Sequence, residues 1–485
     1  MKYTSTRDSS VAVSAADAVI DGIAPDGGLF VPVELPKLDY KTLIDLDYTA
    51  RADAVLRAFF DFDVSGVAEG AYATFETDDP APVVKLDDNL FVLELWHGRT
   101  HAFKDMARSV RPRLLTAAKA EKGNTDTTLI LVATSGDTGK AALEGFKNVA
   151  GTKVVVFYPT DGVSDVQKLA MQTQDGDNVC AVGIRGNFDD AQTAVKNAFR
   201  DEALINKLAA KNIKLSSANS INIGRLVPQI AYYFSAYCDL VNAGEIEKGD
   251  KIDFVVPTGN FGNILAGWYA REMGVPINRL ICASNRNNIL TDFITTGVYD
   301  TNREFFKTTS PSMDILVSSN LERLLFEMSG RNAEAIKSRM AGLKEHGRYE
   351  VTPDEIEKIR ETFSAGFTDE EGTAEAIAEM FDEYGYLIDT HTAVAYDVAK
   401  RSDFPRPTVV VSTANPFKFA PAVLSALGEK ATGEATEQML IKLTDLTAMD
   451  APKSLTEVFR APVRFGETID KSKIIDFISE KFGDN

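Results

Sequence analysis

The stretch KIDFVVPTGNFGNILAGWYAREMG (residues 251–274) decides the fold. Its apolar, β-branched start, 251–257, is followed by a polar turn with two glycines, 258–263, and then by apolar residues at helical spacing. This order predicts a buried strand, a turn and a helix, which together form one βα unit of a parallel sheet. Gly259 and Gly262 permit a positive φ and a close approach between the backbone and an anion. In isolation, the turn is also compatible with an ordinary tight βα connection.

Apolar runs of the same kind recur on both sides of this stretch. The sequence predicts further strands over 128–133, 153–159, 178–184, 279–284 and 408–414. Segments with apolar residues at helical spacing separate several of these runs, most clearly over 188–209. Strands that alternate with helices of about ten or more residues predict an α/β protein, whose open parallel sheets carry helices on both faces.

Shifts in composition divide the chain into three predicted domains. Residues 1–86 contain short helical patterns, such as 42–62, and end near the acidic, proline-containing segment ETDDPAP (76–82). We therefore expect a mainly helical N-terminal domain over 1–86, an α/β domain over 87–222 and a larger α/β domain over 223–485. A chain of this length is long enough for several domains of about 150 residues.

Composition narrows the classes of function. The 485 residues include 71 acidic and 52 basic ones, which gives a formal net charge of −19. This average field repels a polyanion, so we expect no nucleic-acid partner. The chain has three cysteines, no run of about 18 apolar residues, and no apolar signal-peptide core in its first ten residues. We therefore expect a cytoplasmic protein with reduced thiols and no membrane partner, whose oligomeric state the sequence leaves open.

Three predicted strands end in a polar turn that opens a helix. The turns are TSGDTG (134–139), TGNFGN (258–263) and STANP (412–416). In open α/β sheets, ligands bind beyond the carboxyl ends of the strands, where helix N-termini offer free N–H groups to anions. Three such turns predict a ligand with more than one anionic group.

In the first of these turns, Ser135, Asp137 and Thr138 are candidates for binding a carboxylate. A simple helix cap by Ser135 or Asp137 explains the same residues equally well. The turn resembles the end of a nucleotide-binding P-loop, but Thr134 stands where that motif needs its first glycine, and Ala141 stands in place of the final Ser or Thr. A nucleoside-triphosphatase is therefore disfavoured.

The segment AFKD (102–105) places a lysine among apolar residues. Lys104 follows Ala102 and Phe103 and lies two positions before Met106. Partial burial there would weaken the preference of the amine for its charged form and make it a better nucleophile toward a carbonyl, as Schiff-base chemistry requires. The alternative is a solvated surface lysine, the commonest environment of this residue type.

The segment NSINIGRLVPQ (219–229) carries a polar patch with one cation. Its polar residues are Asn219, Ser220, Asn222 and Arg225. Arg225 could bind a phosphate through two hydrogen bonds, whereas the alternative is a capped helix with one surface arginine.

The segment HGRTH (97–101) spaces two histidines four residues apart. Gly98 stands where the zinc-protease motif requires Glu, and no third ligand lies close in sequence. We therefore expect no metal site there.

Considered jointly, these segments resemble the threonine synthase family. LELWHGRTHAFKDMA (93–107) is similar to the family's pyridoxal-phosphate lysine segment, whose pattern is close to H-G-P-T-x-A-F-K-D. The other similar segments follow in the family's order: YTSTRD (3–8), APDGGLFVP (24–32), TSGDTG (134–139), NFDDAQ (187–192), NSIN (219–222), PTGNFGNILAG (257–267), SMDILVSSNLERLLF (312–326), DTHTAVA (389–395) and STANPFKF (412–419). The resemblance covers nearly the whole chain. Arg99 replaces the family's usual proline, and Asn415 replaces a histidine often found there.

The resemblance implies a fold-type II pyridoxal-phosphate enzyme that converts O-phospho-L-homoserine and water to L-threonine and phosphate. Lys104 would carry the cofactor as a Schiff base and move protons during the reaction. Thr413 would hydrogen-bond the pyridine nitrogen. The loop that would bind the cofactor phosphate consists of Gly259, Asn260, Phe261, Gly262 and Asn263.

The resemblance also assigns two groups of residues to the substrate. Its carboxylate end would contact Ser135, Asp137 and Thr138. The departing phosphate would be bound by Asn219, Ser220, Asn222 and Arg225, with Arg99 and Lys168 as weaker candidates.

Three alternatives stay open at this point. A phospho-lyase would use the same cofactor and substrate but release 2-oxobutyrate, and a serine or threonine dehydratase would not need a second phosphate site. A protein of a different class, which binds the cofactor without catalysis, would share the fold, because a fold by itself does not establish a function.

Overall fold

The computed structural model describes residues 1–134, 137–160, 163, 165–217, 221–402, 404–433 and 435–483, and it leaves out the side chains of residues 137, 138, 165, 188, 189 and 217. The strands within these ranges are β1 Lys2–Ser5, β2 Val13–Ser14, β3 Phe30–Pro32, β4 Val83–Lys85, β5 Leu90–Glu94, β6 Thr127–Ala133, β7 Thr152–Pro159, β8 Val179–Arg185, β9 Ile213–Ser217, β10 Ile252–Pro257, β11 Ile277–Ser284, β12 Val298–Asp300, β13 Arg348–Glu350, β14 Phe363–Phe367, β15 Thr408–Ser412 and β16 Thr468–Asp470.

Helices connect most of these strands. They are α1 Ala15–Asp21, α2 Tyr48–Phe59, α3 Val67–Tyr72, α4 Asp105–Arg108, α5 Val110–Glu121, α6 Asp137–Phe146, α7 Asp165–Gln172, α8 Phe188–Ala198, α9 Glu202–Ala209, α10 Ile223–Leu226, α11 Ile230–Asn242, α12 Gly262–Met273, α13 Ile289–Thr296, α14 Leu321–Met328, α15 Ala333–His346, α16 Pro353–Thr362, α17 Glu370–Tyr384, α18 Thr390–Lys400, α19 Ala420–Ala426, α20 Glu437–Thr447, α21 Lys453–Glu457 and α22 Ile474–Ile478.

The chain divides into two compact units, and each unit is made of two separate stretches of sequence. The first unit comprises Met1–Val110 and Ser220–Thr432, and the second comprises Arg111–Asn219 and Gly433–Asn485. These units differ from the three consecutive domains expected from the sequence, because the C-terminal residues join the stretch that begins at Arg111. The division at residues 86 and 222 stays a prediction.

The first unit is built around a six-stranded sheet in the order β14-β11-β10-β15-β5-β4. All neighbouring strands are parallel except the edge pair β4 and β5. Val255, Val410 and Val92 lie side by side on three central strands and are fully buried. Continuous burial of β10 and β15 explains their unbroken apolar sequence, which is typical of a parallel sheet covered on both faces. Helices α12 and α18 pack against this sheet.

The N-terminal residues form a small antiparallel sheet in the order β2-β1-β3, which the sequence did not predict. Just after β1, Thr6 donates a hydrogen bond of 2.5 Å to Glu322 at the start of α14. Arg7 donates two hydrogen bonds, of 2.8 and 2.7 Å, to the same carboxylate. This bidentate pair is a geometrically specific contact, and it ties the N-terminal residues to α14.

The second unit contains a five-stranded, fully parallel sheet in the order β16-β8-β7-β6-β9. One apolar cluster of its core includes Leu131, Val155 and Phe157 from the central strands. Ile478 and Phe482, from the C-terminal residues, complete the same cluster. The last stretch of the chain is therefore part of this core.

The strands expected from the sequence lie where the apolar runs predicted them, within a few residues at each end. The segment 188–209 is two helices, α8 and α9, and the chain leaves the helix between Phe199 and Asp201. Asp201 caps α9 through a hydrogen bond of 2.8 Å from the Leu204 backbone N–H, and this cap starts a new helix.

No helix within the described ranges has the length and apolar content to cross a bilayer.

Truncation of Ile478 should destabilise the second unit. Ile478 is fully buried, and Ile478→Ala is expected to cost about 2–5 kcal/mol because it removes apolar contacts and leaves a cavity. Ile441→Ala is the matched control in the same unit, because Ile441 is 53% exposed and should cost within about 0.5 kcal/mol. Thermal unfolding followed by circular dichroism compares the two variants. Equal midpoints for both variants would contradict the assignment of Ile478 to the core.

Candidate functional site

Lys104 lies in a turn that is attached to the end of a central strand. The turn follows β5 and leads into α4. The Phe103 backbone N–H donates to the Thr413 carbonyl at 2.8 Å, and the Asn415 N–H donates to the His101 carbonyl at 3.1 Å. These bonds form an antiparallel bridge just beyond β15. The position of Lys104 is therefore fixed by the most buried part of the sheet.

Asp105 holds the same turn from its other side. Its carboxylate accepts hydrogen bonds from the Thr100 N–H, at 2.7 Å, and from the Thr100 hydroxyl, at 2.6 Å. Lys418 donates to the Thr100 carbonyl at 2.8 Å. A side chain at Gly98 would meet Asp105, since an added Cβ would lie 2.5 Å from the Asp105 Cβ. Burial raises the pKa of the Asp105 carboxyl, while the bonds from Thr100 oppose this shift.

The two histidines of HGRTH have separate environments. His97 Nε2 lies 2.7 Å from the Glu94 carboxylate. His101 is buried in the turn with a φ of 52°, and burial, assisted by the charge of Lys418, lowers its pKa to about 3. The described residues contain no group of three or more potential metal-ligating His, Cys, Asp or Glu side chains.

Lys104 itself is half-buried, while Ala102 and Met106 beside it are buried. Its Nζ donates a hydrogen bond of 3.1 Å to the Ser312 hydroxyl. The prediction that apolar residues surround this amine stays untested, and its hydrogen-bond partner Ser312 was not among the predicted site residues. The amine is thus held in place and partly accessible.

The glycine loop 258–263 leads from β10 into α12. The positive φ expected at its glycines occurs at Phe261 instead, where φ is 65° and the ring packs against Phe363. Gly259 is required for a different reason, because an added Cβ would lie 2.6 Å from the Ser312 carbonyl oxygen. A Cβ at Gly262 would lie 3.2 Å from the Asn320 Nδ2. Close packing against a backbone carbonyl therefore explains Gly259, whereas a side chain at Gly262 would require only a small shift of the Asn260 and Asn320 side chains.

A neighbouring segment supports this loop from outside. The Ser318 hydroxyl donates to the Gly259 carbonyl at 2.8 Å, and the Asn320 N–H donates to the Asn260 carbonyl at 3.0 Å. The Asn260 side chain accepts from the Gly262 N–H at 3.1 Å. The carbonyl groups of Gly259 and Asn260 thus have their partners in the segment 318–320.

Two buried side-chain amide nitrogens at the loop have no hydrogen-bond partner among the described residues. The Asn263 Oδ1 accepts from Tyr232 and Tyr233, at 2.6 and 2.8 Å, but its Nδ2 is unpartnered. The Asn320 Oδ1 accepts from Arg323 at 2.5 Å, and its Nδ2 is also unpartnered. A buried N–H without an acceptor is costly, so these donors fit an anion that the protein binds.

The charge distribution around the loop also favours an anion. Arg323 is fully buried, and burial lowers its pKa to about 10, so it stays a cation at neutral pH. It also donates to the Phe30 and Ile221 carbonyls, at 3.0 and 2.5 Å. The positive end of the α12 dipole adds to this charge. The loop can therefore hold a phosphate-class group.

Asn222 and Arg225 lie on the short helix α10 of the first unit. The Asn222 Oδ1 caps this helix by accepting from the Gly224 N–H at 2.7 Å, and its Nδ2 donates to the Val19 carbonyl at 2.9 Å. The capping alternative considered from the sequence therefore applies to Asn222. Arg225 is buried rather than a surface arginine. Their roles toward a phosphate stay predictions.

The other predicted substrate residues belong to the second unit or lie outside the described residues. Ser135, Asn219 and Ser220 lie outside the described residues. Asp137 and Thr138 start α6, but their side chains are not described. Thr134, which precedes Ser135, is described. Its hydroxyl accepts a hydrogen bond from the Gly139 N–H at 3.0 Å and thus caps α6.

The structure places both residues that depart from the family pattern, Arg99 and Asn415. Arg99 is exposed in the turn before Lys104. Asn415 accepts from the Phe417 N–H at 3.0 Å and caps the turn after β15. Thr413 is buried just beyond β15, and its contact with a ring nitrogen stays a prediction.

Sequence reasoning missed Ser312, Asn320, His391 and Asp389 as site residues. The segments 312–326 and 389–395 were recognised only by their resemblance to the family. Asn320 directly precedes a helix, and that position predicts a cap, but its side chain makes no capping bond. Its contact with Arg323 could not be read from the sequence.

Comparisons with known proteins give a consistent result. The sequence matches three family descriptions in chain order: "Threonine synthase N terminus" over residues 2–68, "Pyridoxal-phosphate dependent enzyme" over 77–414 and "Threonine synthase, C-terminal" over 392–470. It is 40% identical over 436 residues to the threonine synthase of Pseudomonas aeruginosa, with 88% of this chain and 90% of that protein covered.

A human relative and a solved structure extend this similarity. The chain is 42% identical over 453 residues to threonine synthase-like 1 of Homo sapiens, with 90% of this chain covered, and it spans 61% of that relative's length. The crystal structure of pyridoxal-phosphate-bound threonine synthase from Brucella melitensis superimposes with a TM-score of 0.88 at 37% identity, and the match covers 99% of both chains.

The buried His101 should make folding stability depend on pH. Its pKa of about 3 lies below the unfolded value of about 6.5, so the unfolded state binds the extra proton below pH 6.5 and stability falls as pH falls. We expect this residue to remove about 2 kcal/mol of unfolding free energy between pH 7 and 5. Asparagine tolerates a positive φ, so His101→Asn should remove this contribution.

Urea unfolding at pH 7 and pH 5 measures the difference. His346→Asn is the matched control, because His346 is 75% exposed. The pH dependence of the His346 variant should equal that of the wild type. If His101→Asn also kept the pH dependence of the wild type, His101 would not be a buried neutral group.

Proposed function

Because the chain belongs to the threonine synthase family of pyridoxal-phosphate-dependent enzymes, we propose that it converts O-phospho-L-homoserine and water to L-threonine and phosphate. One observation carries the proposal. Ser312 contacts both Lys104, through its hydroxyl, and the glycine loop, through its carbonyl oxygen. A nucleophilic amine and a phosphate-class site are therefore neighbours in one unit, as a cofactor with an aldehyde and a phosphate requires.

The residues of the first unit fit this cofactor. Lys104 would bind its aldehyde carbon, and Thr413 would hydrogen-bond its ring nitrogen. The α12 N-terminus would hold its phosphate through the loop of Gly259, Asn260, Phe261, Gly262 and Asn263. Asn320 joins this loop as a donor, because its Nδ2 is buried, lies next to Gly262 and has no partner in the part of the chain that the structure describes. When bound, pyridoxal phosphate supplies the electron sink that makes protons on the substrate's Cα and Cβ removable.

The protein's own part in the reaction is to move protons and to bind the departing group. Lys104 Nζ would take and return protons at Cα and Cβ. Its hydrogen bond to the Ser312 hydroxyl restricts the position of the amine. We propose Arg225 as the principal residue for the departing phosphate, because a buried guanidinium binds phosphate oxygens strongly. Asn222, Asn219 and Ser220 stay candidates beside it, while Ser135, Asp137 and Thr138 stay candidates for the carboxylate end.

Other elements of the proposal rest on composition. A cytoplasmic location and the absence of nucleic-acid partners stay predictions, based on three cysteines and a net charge of −19. The oligomeric state is left open. A phospho-lyase and a binding protein without catalysis are outcomes of the experiments that follow.

The function is tested by incubating the protein, reconstituted with pyridoxal phosphate, with O-phospho-L-homoserine. We expect threonine and phosphate in equal amounts, and borohydride should fix the cofactor on Lys104. Lys104→Ala should abolish both turnover and label, whereas Lys248→Ala, at an exposed position of the same unit, should change neither. Phosphate with 2-oxobutyrate would identify a phospho-lyase, and cofactor uptake without turnover would identify a binding protein.

The contribution of Asn320 is tested by cofactor binding. A hydrogen bond to a charged group contributes about 1.5–3 kcal/mol, so Asn320→Ala should weaken pyridoxal-phosphate binding roughly 10- to 100-fold. Asn320→Asp should weaken it at least as much, because it keeps an acceptor for Arg323 but places a negative charge at the loop. Fluorescence titration of the cofactor measures both.

The control for this series is Asn206→Ala, an exposed substitution on α9. Its affinity for the cofactor should equal that of the wild type. Wild-type affinity in both Asn320 variants would remove Asn320 from the phosphate site.

A further inference from the structure

Ser312 links Lys104 to a buried histidine. The Lys104 Nζ donates to the Ser312 hydroxyl at 3.1 Å, and the Ser312 backbone N–H donates to the His391 Nε2 at 3.1 Å. Ser312 itself is exposed, whereas His391 is buried. The exposed Ser312 is thus held in place by the buried imidazole of His391.

The direction of these bonds fixes the protonation of His391. A nitrogen that accepts a hydrogen bond from a backbone N–H carries no proton, so Nε2 is the acceptor of the ring. The proton of the neutral imidazole is then on Nδ1, which lies 2.7 Å from the Asp389 carboxylate. A carboxylate on the far nitrogen is the usual way in which proteins set a histidine tautomer.

Asp389 is well suited to this role because its carboxylate is fully buried and well hydrogen-bonded. It accepts from the His391 backbone N–H at 2.9 Å, from the Thr392 N–H at 3.1 Å, and from the Thr392 hydroxyl. These bonds also cap α18. The Phe419 ring contacts the imidazole edge-on, with the centroids 4.9 Å apart. The histidine therefore has a single orientation.

The segment around Ser312 is anchored at its flanks as well. Asn285 Nδ2 donates to the Thr308 hydroxyl at 2.9 Å and to the Asp314 carboxylate at 2.8 Å. Asn287 Nδ2 donates to the same carboxylate at 3.0 Å. The polar side chains at 285 and 287 are buried, so they are a rigid base for this segment. Its remaining freedom at Ser312 is removed by His391.

We propose that Ser312 and His391 are positioning residues for Lys104, which hold its amine in place in both of its charge states. This inference rests on the proposed function, in which Lys104 gives up a proton and regains it during each turnover. A hydroxyl accepts a hydrogen bond from a charged ammonium and donates one to a neutral amine. Ser312 can therefore keep contact with Nζ before and after each proton transfer. His391 acts through Ser312, since it fixes the backbone that carries this hydroxyl.

The contacts are tested first without cofactor or substrate. The ¹⁵N spectrum of the histidine rings distinguishes the two neutral tautomers. The chain has four histidines, so His391→Gln assigns the signal of His391 by its loss. At pH 7.5 we expect a protonated Nδ1 and a Nε2 that accepts a hydrogen bond. A protonated Nε2 would overturn the proposal, because it could not accept from Ser312.

The role toward Lys104 is tested by substitutions at Ser312. Ser312→Ala should lower kcat about 10- to 100-fold with KM changed less than about threefold, because a misplaced base slows proton transfer more than it weakens binding. Ser312→Thr retains a hydroxyl and should restore most of kcat. Ser425→Ala, at an exposed position on α19, is the matched control and should leave kcat unchanged. Equal kcat for Ser312→Ala and the wild type would overturn the proposal.

Substitutions at His391 separate positioning from general damage. His391→Gln offers an amide oxygen as an acceptor for the Ser312 N–H, whereas His391→Leu offers none. We expect His391→Gln to keep several-fold more kcat than His391→Leu, at equal cofactor content. Equal loss of kcat in both variants would refute an acceptor role for His391.

Failure of the proposed function and failure of this inference have different signatures. If the wild type binds no pyridoxal phosphate at Lys104, the proposed function fails, whatever the histidine spectrum shows. If the wild type makes threonine but Ser312→Ala equals it, the function stands and the positioning role fails. The rate at which borohydride-trapped cofactor appears on Lys104 gives a second readout, and Ser312→Ala should slow it several-fold relative to Ser312→Thr.

Discussion

The short antiparallel bridge between the Lys104 turn and the end of β15 is the constraint on which the candidate site depends. It consists of two backbone hydrogen bonds, from Phe103 to Thr413 and from Asn415 to His101. Because β15 lies between β10 and β5, it is held on both sides by parallel neighbours. A turn outside any long helix or strand thereby acquires the rigidity of the sheet centre. Pre-organisation of this kind is what an amine needs if it is to act on a bound group.

A second constraint joins the lysine to the glycine loop and to the N-terminal residues. The segment around Ser312, Ser318 and Asn320 contacts both Lys104 and the loop, so the two parts of the site share one support. Glu322 and Arg323 continue this segment into α14. The first binds Arg7, while the second donates to the Phe30 carbonyl. The N-terminal sheet therefore stabilises the same segment that lines the site.

The sequence predicted the central strands well, because buried parallel strands have unbroken apolar runs that local reading detects. Lys104 and the glycine loop were candidates from local patterns, a lysine among apolar residues and a glycine-rich turn, but only the resemblance to the family gave them roles, and these roles stay predictions. The sequence did not place the positive φ, which occurs at Phe261, whose ring packs against Phe363. Ser312, Asn320 and His391 could not be found, since the contacts that bring them to the site, with Lys104, Asn260 and Ser312 respectively, join residues distant in sequence. The pairing of the C-terminal residues with the stretch after residue 111 was missed for the same reason.

The composition of the second unit has a consequence for biosynthesis. Strand β16 forms an edge of its sheet, and Ile478 and Phe482 complete the apolar cluster that begins with Leu131 and Phe157. On the ribosome, the strands at 127–217 emerge long before these closing residues, with the whole second stretch of the first unit translated between them. Until then the nascent sheet has an unpaired edge and an apolar face that α8 and α9 cover only in part, so it is prone to misassociation. Because the chain order is interleaved, correct folding of the second unit depends on translation speed and on chaperone binding until the C-terminal residues have been made.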